Sequence, residues 1–335
     1  MTKNGKAAGL FARLRRGIPA AGVALALCTG QAAAQADYPT RTVRLAVGFG
    51  AGTPPDLAAR TIAEKLARTW GKPVVVENVV GASGDLAGER IARAEPDGHT
   101  LLIAGNAGIV INPALFRTMR YDPVRDLAPV TVAYTYPNVL IANNELGVGS
   151  VRQLVELARS RPGELSYGSA GPGTSLHLAG EMLKSMAKID VQHVPYRGGL
   201  NLIADLISNR IQFYFGPTAS TLEQARRGTA TALAVTSPAR FSLAPDIPTM
   251  KEAGFPDFEM DVWWGLMAPA ATPAPIIAKL YRDTAAALAS PDTRARFANL
   301  GVEPVGNTPD AFAAIIRAEL PKWSRLIRDA GIRLD

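Results

Sequence analysis

The stretch TVRLAVGFGAGTPPDLAARTIAEKLARTWGKPVVVEN, residues 42–78, sets the architecture of the chain. Val43 to Phe49 is a short apolar run of strand composition, and the Gly/Pro loop from Gly50 to Pro55 interrupts it. Ala58, Ile62 and Leu66 then recur at four-residue spacing, which puts an apolar stripe on one face of a helix. Gly71 supplies a C-terminal cap position and Pro73 cannot continue the helix, so a second strand starts over Pro73 to Glu77. This is a βα unit leading directly into another strand.

The same rhythm continues outward. A helix near Leu86 to Ala94 ends before the turn Glu95-Pro96-Asp97-Gly98, and Thr100 to Ala104 is a compact apolar strand. The βαβαβ order predicts a mainly parallel sheet with helices on its faces. After Pro137 the pattern restarts. It runs through a helix at Val151 to Arg159, a strand at Leu165 to Tyr167, a helix at Ser175 to Met186 and a strand at Val191 to Val194. A helix near Leu200 to Ile207 and strands at Ile211 to Phe215 and Thr231 to Val235 complete a second α/β lobe. From Pro273 the chain reads as helical, with Ile276, Leu280, Ala287, Phe312, Ile315, Ile316, Leu320 and Trp323 facing inward and packing on one of the lobes. No internal repeat or low-complexity segment interrupts this order.

The first 36 residues stand apart. Lys3, Lys6, Arg13, Arg15 and Arg16 precede an apolar run from Gly17 to Leu27, and small residues lead to Ala34-Gln35-Ala36. That order predicts a secretory signal peptide cleaved after Ala36, since the apolar run falls short of the ~20 residues a bilayer-spanning helix needs. Without those five basic residues the formal charge of +7 becomes +2, so no broad basic face is expected and nucleic acid is not an expected partner. Cys28 is the single cysteine and lies in the leader, so the mature chain is expected to rely on an apolar core, with no disulfide, Cys-bound metal or cofactor.

Three Gly-rich loops follow strands and invite a ligand. The first, Gly50-Ala51-Gly52-Thr53-Pro54-Pro55-Asp56, leads into a helix whose free N–H groups and dipole favour an anion such as a carboxylate; Asp56 also suits a plain N-cap role. The second, Tyr167 to Ser175, has the same placement, with Ser169, Thr174 and Ser175 as hydroxyl donors and glycines that let the backbone approach a guest. The third is Gly105-Asn106-Ala107-Gly108, and all three are expected to converge at the C-terminal ends of the strands. The second loop lacks the Lys of a phosphate loop, and Gly48, Gly50 and Gly52 give G-x-G-x-G rather than a dinucleotide fingerprint. His99, His177 and His193 form no zinc motif, no nucleophile elbow is present, and no catalytic or metal-binding residue is expected. His177, near its helix start, is the histidine best placed to touch a ligand. Trp263 and Trp264 are either packing residues or, for one ring, part of a cleft wall.

These residues lie in strings that together resemble the Bug family, the periplasmic solute receptors of tripartite tricarboxylate transporters. The match runs from Asp37-Tyr38-Pro39 through Val74-Val75-Val76-Glu77-Asn78, Pro96-Asp97-Gly98, Ile111-Asn112-Pro113 and Tyr167-Gly168-Ser169-Ala170-Gly171. It continues through His177-Leu178-Ala179-Gly180-Glu181, His193-Val194-Pro195-Tyr196, Pro248-Thr249, Glu252-Ala253-Gly254 and Ala268-Pro269-Ala270. The resemblance implies an α/β, two-lobed periplasmic-binding-protein-like fold with a ligand cleft between the lobes. Residues 37–137 plus 266–335 would form lobe 1 and residues 138–265 lobe 2. It further implies a monomeric, non-enzymatic periplasmic receptor that captures a small carboxylate and delivers it to a membrane permease.

Carried onto matching positions, the resemblance points to Phe49, Gly50, Gly52, Asp56, Asn106, Ser169, Gly173, Thr174 and His177 as ligand contacts, with Ala51, Ala107, Gly171, Phe215 and Trp264 beside them. The first loop departs from the family pattern P-F-x-x-G-G-x-[ST]-D. It carries Gly48 for the first Pro, Thr53 for the second Gly and Pro55 for Ser or Thr, and Pro55 removes both a hydroxyl and a backbone donor. Two other functions fit the same layers: a secreted α/β hydrolase-like enzyme acting on a small acid, or a ligand-dependent partner of a membrane sensor.

Overall fold

The computed structural model describes residues 38–81, 84–196 and 199–332. The expected leader and its expected cleavage site lie outside the described residues. The elements of the first half are β1 (Val43–Val47), α1 (Pro54–Trp70), β2 (Val74–Asn78), α2 (Asp85–Ala92), β3 (Thr100–Gly105) and, after a π-helical turn, α3 (Asn112–Leu115). A 16-residue strand, β4 (Leu127–Ala142), leads to α4 (Val151–Ser160), β5 (Ser166–Ser169), α5 (Ser175–Ala187), β6 (Gln192–Pro195), α6 (Gly199–Ile207), β7 (Phe213–Pro217), α7 (Thr218–Arg226) and β8 (Thr231–Val235). The chain returns through β9 (Asp261–Pro269), α8 (Ala274–Ala289), α9 (Pro291–Asn299), β10 (Glu303–Pro304) and α10 (Pro309–Asp329).

The strands lie in the order β2-β1-β3-β9-β4-β7-β5-β6, with β8 and β10 also paired to β4. β1 is parallel to β2 and β3, and β5 is parallel to β6 and β7. The expectation of a mainly parallel sheet fails at the centre, where β9 runs antiparallel to both β3 and β4, and β4 antiparallel to β7 and β8. The reason is topological. A parallel neighbour needs a helical crossover, whereas β9 enters between β3 and β4 after the second α/β set and runs the other way.

β4 joins the two α/β halves. Its residues Leu127 to Pro137 pair with β9, and Asn138 to Ala142 pair with β7 on one side and, from Val139, with β8 on the other. Pro129 sits at a register shift and Pro137 at the last residue paired with β9, positions where a missing N–H disturbs the ladder least. Beyond Pro137 the strand contains no further proline, so one continuous strand carries the ladder across the change of partner.

The C-terminal helices pack on the first half, as the inward stripe predicts. Ile276, Leu280, Ala287, Phe312, Ile316 and Trp323 are buried, and Ile315 and Leu320 are partly so. Phe312 stands edge-on to Trp263 at 5.1 Å and occupies the space where any side chain at Gly265 would sit. Trp263 and Trp323 both donate their indole N–H to Glu319, at 3.0 and 3.2 Å. Trp70 of α1 donates to Asp283 of α8 at 2.7 Å. From Pro39 onward the described residues form one compact unit.

Candidate functional site

A cavity of about 320 Å³ opens where the strand ends of both halves meet. The first half supplies Gly48 and Phe49 after β1, the end of β3 with the turn Asn106-Ala107-Gly108, and Leu115, Phe116 and Tyr121 beyond it. β4 contributes Tyr136 and β9 contributes Val262 and Trp264. The second half supplies Ala170 and the run from Pro172 to Leu176 at the start of α5. A larger depression, about 700 Å³, lies between α5 and α10 and contains none of these loop residues.

One wall is aromatic and held in place from several sides. Phe49 meets the Trp264 ring edge-on at 5.2 Å, and Tyr134 stacks on Trp264 at 6.1 Å with 12° between planes. Gly105 leaves room for the indole, since a Cβ there would come within 3.0 Å of the ring. Trp264 is 7% exposed. Burial raises the Tyr136 phenol above its ordinary value, and the neighbouring Trp264 indole offsets part of that rise. Trp263 faces the other way, into Phe312 and Glu319, so the two tryptophans divide the roles that the sequence left open between them.

The first loop is closed on itself. Its helix starts with Pro54 and Pro55, so the first two helical positions carry no amide proton. Gly52 N–H donates to Asp56 at 2.9 Å, and both the Thr53 N–H and hydroxyl donate to the Gly50 carbonyl. Asp56 is 1% exposed and also accepts from Arg60 at 2.9 Å and from Asn78 at 2.8 Å. Burial pushes its carboxyl up, but these hydrogen bonds outweigh it and leave the pKa lowered. Thr53, not Asp56, is the N-cap, and Asp56 reaches back from inside the helix. Asn78 also donates to the Phe49 carbonyl at 2.8 Å, which anchors the residue that does reach the cavity.

The second loop is open toward the cavity. Thr174 is the N-cap of α5, its hydroxyl accepting from His177 N–H at 3.4 Å and donating to the Gly171 carbonyl at 2.7 Å. The N–H groups of Ser175 and Leu176, in the first turn of α5, have no hydrogen-bond partner among the described residues, and both residues line the cavity. Beneath the loop, His177 and His193 stack at 4.0 Å, with Tyr167 against both. Gly173 N–H donates to His177 Nδ1 at 3.1 Å, and Ser169 Oγ lies 2.7 Å from His193 Nε2. Burial, then the neighbouring His193, push His177 down to about 4, and burial lowers His193 as well.

The Ser169–His193 pair has the separation of a nucleophile and its base, but Ser169 is fully buried and does not line the cavity. No charged side chain lines the cavity among the described residues, and no group of three His, Cys, Asp or Glu could hold a metal ion there or elsewhere among them. Asp85 accepts from Asn112 at 2.9 Å behind the wall; burial raises its carboxyl above the ordinary range.

Of the residues singled out from sequence, Phe49, Asn106, Ala107, Gly173, Thr174 and Trp264 come together around the cavity. Gly50, Ala51 and Gly52 do not line it, Gly50 half-buried and Ala51 and Gly52 exposed, and Asp56, Ser169 and His177 lie beneath the loops as their supports. Gly171 accepts from Thr174 within the second loop, and Phe215 is fully buried, stacked on Phe258 at 5.6 Å in the core. Asn106 itself donates to the Asp261 carbonyl at 3.1 Å. Tyr136 and Val262 carried no readable signal because their strands were hidden, whereas Ser175 and Leu176 follow Thr174 directly.

The model of the tripartite tricarboxylate transporter family receptor matches residues 58–332. The chain belongs to that family. Among its relatives is protein BugT from Bordetella pertussis (strain Tohama I), 32% identical over 298 residues, which cover 89% of this chain and 91% of BugT. A solved R. palustris protein, Rpa4515 with adipate, is 34% identical with a TM-score of 0.75, covering 88% of this chain and 99% of that one. The periplasmic binding protein BugD is likewise 34% identical, with a TM-score of 0.71 and the same coverage. The family is one of transporter receptors, so the chain is a solute-binding receptor of Bug type rather than an enzyme. No helix among the described residues is long and apolar enough to cross a membrane.

Proposed function

We propose that this receptor works in the periplasm, captures a small carboxylate in the cavity between its two α/β halves, and hands it to the permease of a tripartite tricarboxylate transporter. The observation that carries the reading is the pair of unengaged amides, Ser175 and Leu176, in the wall of a cavity that no charged side chain among the described residues lines. A helix N-terminus of this kind accepts a carboxylate through aligned N–H groups and the helix dipole. Residues 37–137 with 266–335 form one lobe and residues 138–265 the other, joined through β4, and the monomer closes over its guest. The first 36 residues direct export and are removed after Ala36.

The test is a melting assay on the mature protein across a panel of mono-, di- and tricarboxylates. A ligand at about 100 times its Kd stabilises the fold by ~2.7 kcal/mol, a shift such an assay resolves. Absence of saturable stabilisation by every acid in the panel would overturn the receptor reading.

A further inference from the structure

We infer that Asp261 is a positioning residue for the cavity: a proton held on its carboxyl keeps the Asn106 side chain and the adjoining wall in place, and loss of that proton loosens them. The inference rests on the receptor reading above and concerns the regulation of the same cavity.

Asp261 stands where the two halves join. It opens β9 opposite Pro137, after which β4 changes partner from β9 to β7. One residue earlier, Met260 N–H donates to the Thr236 carbonyl of the second half at 2.9 Å. The Asp261 carbonyl accepts from Asn106 Nδ2 at 3.1 Å, and Val262 and Trp264, just beyond it on β9, line the cavity. A displacement of Asp261 therefore reaches the cavity by two routes, through the Asn106 bond and along the strand.

The surroundings of its carboxyl disfavour charge. Oδ1 is buried with no hydrogen-bond partner among the described residues. The charged groups that face the carboxyl are Glu259 from the segment before β9, Glu303 of β10, and Glu319 and Lys322 of α10. Three of these are acids, and the Lys322 ammonium is directed to the Glu259 carbonyl. Burial raises Glu319 too, but Glu319 accepts from the Trp263 and Trp323 indoles at 3.0 and 3.2 Å, so its charge has donors. Asp261 is therefore the one left to hold a proton, and burial, then Glu259, push it up to about 7. A carboxylate without a donor in such a setting is driven toward water, and the strain of that charge falls on the main chain that holds Asn106 and begins the wall. The cavity is fully formed while the proton is in place.

NMR of the side-chain N–H groups in the ligand-free mature protein, followed from about pH 5.5 to about pH 8.5, tests this. The Asn106 amide is assigned by its loss in Asn106→Ser and the Trp264 indole by its loss in Trp264→Phe. Both signals should move along one titration with a midpoint of about 7 in the native protein. In Asp261→Asn, which keeps the shape and cannot ionise, both should stay at their acid-side positions throughout. Native signals that do not titrate would overturn the inference, and so would a titration that survives in Asp261→Asn, since it would belong to another group. Should that variant fail to fold, Glu319→Gln decides: removal of one repelling acid should lower the midpoint, and an unchanged midpoint would overturn the inference. Every signal is read without ligand, so this outcome and that of the carboxylate panel can fail separately.

Discussion

The two loops that begin α1 and α5 occupy equivalent places, strand before and helix after, yet they end in opposite states. The loop Gly50 to Asp56 engages its Gly52 and Thr53 donors internally, on Asp56 and on the Gly50 carbonyl, and begins its helix with two residues that have no amide proton. The loop Ser169 to Ser175 places its internal bonds beneath itself, on Ser169, His193 and His177, and keeps the Ser175 and Leu176 amides for the cavity. Position in the fold therefore makes a helix N-terminus available for an anion, but the side chains around it decide whether any donor is left to give.

The first loop should be the more damaging to break. Asp56→Ala removes an acceptor that serves Gly52, Arg60 and Asn78 at once, and Asn78 in turn holds the Phe49 carbonyl. With the half-exposed Arg60 able to find water and the Gly52 and Asn78 donors left without their partner, the loss should be about 3 kcal/mol. Chemical denaturation of the variant measures it. A loss below about 1 kcal/mol would mean that the first loop is held by its prolines and not by Asp56.

The second loop should be the one that feels mild acid. His177 titrates at about 4 in the folded protein, well below the ordinary 6.5, so the unfolded chain takes up the proton first. Stability contributed by neutral His177 is thus whole above pH 6.5 and falls as the pH drops from there toward 4. The mechanism is local, since a proton on Nδ1 abolishes its acceptance of Gly173 N–H and sets a charge against the stacked His193. Glu181, 4.0 Å from Nε2, pulls the other way, and Lys184 adds to the depression. Asp261, pushed up to about 7 by burial and then by nearby Glu259, contributes with the opposite sign in the same window. The informative quantity is accordingly the difference between native protein and His177→Gln, measured as unfolding free energy from about pH 7 to about pH 4.5. The variant should lose less stability on acidification, and equal slopes would exclude His177 as the sensitive group.

Much of this comparison was legible in advance, and the parts that were not share a cause. Period-four stripes such as Ala58-Ile62-Leu66 identify helices because one face is buried and the other is not, and the loops between them announce themselves by Gly and Pro. β9 gave no such signal, since every residue from Val262 to Pro269 is buried and two-sided burial erases the alternation that marks a strand. β4 was hidden by Pro129 and Pro137, residues that normally interrupt a strand and here sit at a register shift and at the change of partner. Tyr136 and Val262 reach the cavity from those two strands, so that wall could not be assembled before they were seen. Conversely, the donor shortage of the first loop was half visible in Pro55. What the sequence could not show is that Gly52 turns its N–H toward Asp56, because that depends on a φ of +80° at Gly52 and the resulting fold of the loop.

The smallest change would turn the second loop into a copy of the first. Proline is well tolerated at the first helical position, where the missing N–H has no intrahelical partner, and Thr174 already has the extended backbone that precedes a proline, with φ −69° and ψ 157°. Ser175→Pro therefore removes one amide donor from the cavity with little effect on α5 itself. Ser175→Ala removes the hydroxyl and keeps the amide. If the comparison is right, the proline variant loses about tenfold in carboxylate affinity, about 1.4 kcal/mol, with an unliganded melting temperature close to native. The alanine variant should lose less. Equal losses in the two would assign the contact to the hydroxyl, and no loss in either would mean that the free amides of α5 face the cavity without serving its guest.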